Sequence, residues 1–215
     1  MTGGWSWPTL FLLGAYHGIN PGMGWLFAVA LGMQENSTRA VVRSLVPITV
    51  GHALAIGVVI GLAGLARIVL PLNYLKVVVA AALVTLGVYR LVRNRHFRWV
   101  GMQVGFGELT LWSFLMASAH GAGFMVLPVV LGLPSLSMLS GVAAGHHAHM
   151  AGLQDPLTGL AATLVHTLGY LTFTALIALV VYKKLGLALL RKAWFNLDLV
   201  WAVALIVTGL VPLAI

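Results

Sequence analysis

Six long apolar runs, separated by short polar stretches, make up nearly all of the chain. Pro8–Met33, Val41–Arg67, Leu70–Val92, Leu109–Leu133, Leu157–Val181 and Ala193–Ile215 each reach the roughly 20 residues that a helix needs to cross a ~30 Å hydrocarbon core. The pattern predicts an all-α membrane protein with six transmembrane helices in one transmembrane domain, residues 1–215. Two runs carry residues that a spanning helix ordinarily avoids. In the first, Gly14-Ala-Tyr-His-Gly-Ile-Asn-Pro-Gly-Met-Gly24 places His17, Asn20 and Pro21 among four glycines. Pro21 has no N–H to give and Gly18, Gly22 and Gly24 are poor helix formers, so backbone groups freed there need a cavity, a ligand or another helix. The fourth run holds His120-Gly-Ala-Gly123. Helices 1 and 4 are therefore expected to be broken at membrane depth.

The polar positions also repeat. His17-Gly18 followed by Leu31-Gly32 in the first run returns as His120-Gly121 followed by Leu131-Gly132 in the fourth. Thr49-Val-Gly-His52-Ala-Leu in the second returns as Thr163-Leu-Val-His166-Thr-Leu in the fifth, 114 residues later. Leu72-Asn73 and Leu83-Val84-Thr85 in the third return as Phe195-Asn196 and Ile206-Val207-Thr208 in the sixth. Three matches in one order indicate a duplicated three-helix unit, repeat 1 over 8–95 and repeat 2 over 107–215. Three is odd, so the copies must cross the membrane in opposite senses, the inverted-repeat architecture of many secondary transporters.

Composition agrees with the run lengths: 60% of residues are hydrophobic, 7% are charged and the mean hydropathy is +1.01. The net charge of +8 raises the question of nucleic acid, which its distribution answers. With six spans, Arg39, Arg43, Arg90, Arg93, Arg95, Arg98, Lys183, Lys184, Arg191 and Lys192 fall on one side and only Arg67 and Lys76 on the other. That bias is a positive-inside signal for a cell (inner) membrane protein with both termini outside the cytoplasm, and no nucleic-acid partner is expected. Trp5 and Trp7 at the outer start, with Trp99 and Trp194 at the inner face, suit interfacial belts. Met1–Trp7 lacks the basic segment of a cleavable signal peptide. The expected partners are the lipid bilayer and a small ion or metabolite, with a homo-oligomer left open.

The chain has no cysteine, which leaves His, Met, Asn and carboxylates as ligands. His17, His52, His120 and His166 lie nine to eleven residues into their runs, so at 1.5 Å per residue each sits about 13–17 Å from a surface. One His at that depth is accounted for by a hydrogen bond to a neighbouring helix; four at one depth on repeat-related helices point to a shared site. Imidazole suits zinc, nickel, copper or iron(II), and neutral ligands favour a weakly held, exchangeable ion or monovalent copper. Met23, Met116 and Met125 are candidate soft partners, though Met at such positions is ordinarily packing. Asn20, Gly22, Met23 and Gly121 are expected to line the substrate or stand behind its ligands. Protonated histidines with half-helix N-termini would instead hold a small anion or an amino acid.

His17-Gly-Ile-Asn-Pro-Gly-Met23, followed by Val50-Gly-His52-Ala-Leu, resembles the paired signature of the nickel–cobalt permeases, His-x-x-Asp-x-Asp-His in one helix and Gly-His-Ser in the next. His17 and His52 stand where that family has histidines; Asn20, Gly22 and Met23 stand where it has two aspartates and a second histidine. The resemblance implies a three-plus-three transporter of the lysine-exporter superfamily and a transition-metal substrate, adding cobalt to the candidate ions.

Gly145-His146-His147-Ala-His149, in the stretch Pro134–Pro156, has no partner in the first half. It is either an outer metal-capture loop or simply a polar loop. Asp198 is the one acid inside a run, placed to carry a proton or, more simply, to pair with Lys192 or Lys184. The chain has no P-loop, nucleophile elbow or paired catalytic carboxylates, so a transporter is expected rather than an enzyme. A membrane-embedded haem or metal redox protein and an accessory subunit are the alternatives.

Overall fold

The structure, a computed structural model, describes residues 3–92, 105–131, 133, 155–185 and 197–214. The His146, His147 and His149 segment, the basic residues Arg93, Arg95, Arg98, Arg191 and Lys192, and Trp99 and Trp194 lie outside these residues, as does the side chain of Asp198.

The described residues are helical, without a strand. The helices are α1 (Gly3–Ile19), α2 (Trp25–Gln34), α3 (Thr38–Val69), α4 (Leu72–Val92), α5 (Phe106–Ala119), α6 (Ala122–Leu131), α7 (Pro156–Val180) and α8 (Leu197–Ala214). A 3-10 turn at Pro21–Met23 separates α1 from α2, and a π turn at Val181–Leu185 ends α7. Both expected breaks are present. Among the described residues, two helices are long and apolar enough to cross a membrane, Thr38–Ala66 and Pro156–Lys184, and a third when α5 and α6, bent by 61°, are counted together. The first run is split by the break into α1 and α2, and the third and sixth runs form α4 and α8.

The surface fits lipid. Val42, Val46, Val50, Leu54 and Val58 recur every fourth residue along α3 and are exposed, whereas Leu45, Ile48, His52 and Ile56 on its other face are buried. Such a stripe is stable against acyl chains rather than water.

Between helices, small residues bring backbones together, as bilayer packing favours. Gly14 and Gly18 form a small-x-x-x-small ridge on α1 that lies on α7: a Cβ on Gly14 would run into the His166 carbonyl, and one on Gly18 would come within 2.6 Å of the Tyr170 carbonyl. In return Gly169 lies against the Phe11 carbonyl. On the other side Gly51 of α3 lies against the Thr110 carbonyl and the Phe114 amide of α5, and the buried Ser113 hydroxyl donates to the Ile48 carbonyl at 2.6 Å. The pair α4–α8 closes through Gly87 against Ala202 and Ile206, and Gly209 against Ala80 and Leu83. Contact between Gly32, at the end of α2, and Tyr182, at the end of α7, sets Arg39 and Arg43 and the Lys183–Lys184 pair at the same end of the molecule.

Candidate functional site

Each break leaves a histidine at the end of the helix before it. His17 is two residues from the end of α1, with Nδ1 2.7 Å from the Leu13 carbonyl. His120 is the C-cap of α5, with Nδ1 2.8 Å from the Met116 carbonyl. A carbonyl only accepts, so both rings carry their proton on Nδ1 and keep the lone pair on Nε2. Metal-ligating histidines are oriented in this way, by a donated bond from the nitrogen that does not bind.

The first break is held by a sequence of bonds. Asn20 caps the 3-10 turn with its side-chain oxygen accepting from Gly22 N at 2.9 Å, as short polar side chains do at caps. Met23 N donates to the Asn20 carbonyl at 2.9 Å and Gly24 N to the Pro21 carbonyl at 3.4 Å. The buried Trp25 indole donates back to the Ile19 carbonyl at 2.9 Å. Gly24 has φ +135°, which a residue with a Cβ rarely adopts. The second break is shorter: Gly121, at φ +71°, lets the chain turn between α5 and α6.

Three of the four histidines come together. His17 from α1, His52 from α3 and His166 from α7 have ring centroids 5.6 Å (His17–His52), 5.0 Å (His17–His166) and 5.6 Å (His52–His166) apart. All three are fully buried. The His52 and His166 Nε2 atoms face each other at 3.5 Å. Two imidazoles on one tetrahedral ion at 2.0–2.1 Å would place their nitrogens about 3.3 Å apart, close to this separation. His120 stands at the first break, near His17: its Cε1 lies 3.9 Å, and the Met116 terminal methyl 3.8 Å, from where a Cβ on Gly22 would stand. As the side chains stand, no three His or acidic residues among those described are spaced to close on a metal ion.

The other candidate residues divide, and the two glutamates Glu35 and Glu108 stand at helix ends. Asn20 and Gly22 form the turn at the site's edge, and Gly121 sits in the second break against Leu86 and Leu205. Met23 and Met125 are buried in the hydrophobic core. Glu35 pairs with Arg43 at 3.0 Å with both side chains exposed, and Glu108 caps α5 through Gly105 N at 2.8 Å.

Tyr170 had no place in the sequence reading. It is fully buried, its ring stacks on His52 with centroids 3.8 Å apart and planes 5° from parallel, and its hydroxyl donates to the Met23 carbonyl in the first break. The sequence signal was a single tyrosine four residues after His166, one helical turn on.

Comparison with protein-family profiles, with the sequences of curated proteins and with solved structures returns no match.

Proposed function

We propose that this chain is a multi-pass membrane transporter of two inverted three-helix units, and that its substrate is a transition-metal cation taken up near mid-bilayer by His17, His52 and His166, with His120 beside the first break. The observation that carries the reading is the gathering of three buried imidazoles from α1, α3 and α7 next to an interrupted helix. Secondary transporters place their sites at such interruptions. An exchangeable site gathers its ligands without closing on them before the ion arrives, in keeping with rings that lie together but are not spaced around a point.

The packing supports the inverted repeat. An axis exchanging the two halves turns the α1–α7 contact into the α5–α3 contact and maps α3–α7 and α4–α8 onto themselves, and these four are the main contacts of the bundle. His17 and His120, exchanged by it, make the same bond to the carbonyl four residues back. The meeting of His52 with His166 belongs on that axis. The remaining spans are supplied by α1 with α2, by α4 and by α8. The joint placement of Arg39, Arg43, Lys183 and Lys184 supports one cytoplasmic end in an inner membrane. Since the native chain has no cysteine, Gln34→Cys should resist an impermeant thiol reagent in intact cells and Leu70→Cys should react; the reverse pattern overturns this orientation.

Cobalt(II) tests the function, because imidazole ligation gives it a visible d–d spectrum. The purified protein should acquire that spectrum on titration, and proteoliposomes should take up cobalt. His52→Ala should lose both while remaining folded. A parent protein that binds neither cobalt, nickel, zinc, copper(I) nor iron(II) removes the metal reading, and a haem spectrum in the protein as purified replaces it with a redox role.

A further inference from the structure

We propose that Tyr170 is a positioning residue that couples the His52 ring to the geometry of the first helix break, acting as a latch on the Met23 carbonyl that the second half of the chain lacks. The coupling to substrate rests on the transporter reading above; the latch itself does not.

A helix break at membrane depth frees backbone groups that water does not reach, so each needs a partner. Among the freed carbonyls, that of His17 accepts from Asn20 N, that of Pro21 from Gly24 N, and that of Ile19 from the Trp25 indole. The Phe27 amide, which a continuous helix would direct to Met23, goes to Gly24. The Met23 carbonyl is met by the Tyr170 hydroxyl from α7. The same tyrosine lies flat on His52, while its backbone is fixed against α1 by Gly14 and Gly18. The ring is thus held between a candidate ligand on α3 and the interrupted segment of α1–α2. A shift of the His52 imidazole large enough to accommodate an ion moves the face on which Tyr170 rests, and with it the hydroxyl. The position that the repeat relates to Tyr170, 114 residues earlier, is Ile56, a buried aliphatic side chain with no donor. The latch is therefore one-sided, and the first break is the one whose opening answers to the site.

Amide hydrogen exchange on the full chain in nanodiscs reads this directly. Tyr170→Phe, which keeps the ring and removes the donor, should speed exchange across residues 22–28 by about tenfold, the equivalent of one lost buried hydrogen bond, and leave residues 121–127 unchanged. His52→Ala, which removes the surface under the ring, should speed the same amides. Thr163→Val, which removes another buried hydroxyl of α7, bonded to the Gly159 carbonyl at 2.9 Å, should affect neither segment. Saturating cobalt(II) should alter exchange at 22–28 in the parent, and that response should vanish in Tyr170→Phe while the cobalt spectrum persists. Exchange at 22–28 that stays at the parent rate in Tyr170→Phe or His52→Ala, or a cobalt response that survives the loss of the hydroxyl, overturns the proposal. A parent that binds none of cobalt, nickel, zinc, copper(I) and iron(II) defeats the metal reading and leaves the latch to be judged on the metal-free comparison. If Tyr170→Phe cannot be purified, 3-fluorotyrosine at position 170, a stronger donor, should slow the same amides, and no change there overturns the latch equally.

Discussion

The first break takes five residues, Asn20–Gly24, and contains a proline; the second takes two, His120 and Gly121, and contains none. At the second, both turn amides find backbone acceptors, His120 N the Met116 carbonyl at 2.9 Å and Gly121 N the Ser118 carbonyl at 3.0 Å, and Met125 N in the first turns of α6 reaches the Gly121 carbonyl at 2.9 Å. At the first, the ring of Pro21 removes a donor and a longer stretch leaves the helix, so side chains supply what the backbone does not. Asn20 comes from the turn itself, Trp25 from the helix that follows and Tyr170 from the other half of the chain. At the glycine break the turn amides are met within the backbone. A break completed by borrowed side chains is sensitive to whatever else those side chains touch, here the His52 ring.

Alanine at the two positive-φ glycines separates the breaks most strongly. At Gly24, with φ +135°, a Cβ would collide with Ile48 and stand 3.1 Å from the Tyr170 hydroxyl, so conformational strain and overpacking add. At Gly121, with φ +71°, it would meet only the ends of Leu86 and Leu205, at 2.9 and 3.0 Å. Gly24→Ala should cost about 3 kcal/mol and Gly121→Ala about 1 kcal/mol, measured by reversible unfolding in detergent; equal costs would erase the distinction drawn above.

The two histidines that end the broken helices provide the next comparison. His17 lies within the three-ring cluster and His120 beside the Gly22 turn. His17→Ala should weaken cobalt binding at least about tenfold, or 1.4 kcal/mol, and His120→Ala by less. Cobalt titrations decide it, and equal losses would mean that the two halves contribute alike. If both variants bind and transport like the parent, the mid-bilayer site is abandoned.

The smallest contrast concerns caps. Asn20→Ala removes the acceptor for Gly22 N and should lower stability by about 1 kcal/mol. Glu35→Gln, at an exposed ion pair with Arg43, should change it by less than about 0.5 kcal/mol. A larger effect at Glu35 than at Asn20 would place the order of this region in the loop between α2 and α3 rather than in the break.

Hydropathy and the clustering of glycine with proline are written along the chain, so the helices and both interruptions were legible before any fold was known. Pro21 interrupts its helix in company with Gly18, Gly22 and Gly24, whereas Pro47 inside α3 and Pro128 inside α6 do not interrupt theirs, and Gly121 turns the second because it has no Cβ. Counting at 1.5 Å per residue gave the four histidines one expected depth. It did not give their grouping, because hydropathy places a residue along a membrane normal and says nothing of which way its helix is turned. That His17, His52 and His166 meet, with His120 at the Gly22 turn near His17, depends on α1 lying on α7 through Gly14 and Gly18 and on α3 lying on α5 through Gly51. These contacts join residues far apart in sequence and are set by the shapes of helix surfaces. Tyr170 illustrates the boundary: in sequence it is one more aromatic residue in an apolar run, and only packing across α1, α3 and α7 puts its ring on His52 and its hydroxyl on the carbonyl that Pro21's turn left exposed.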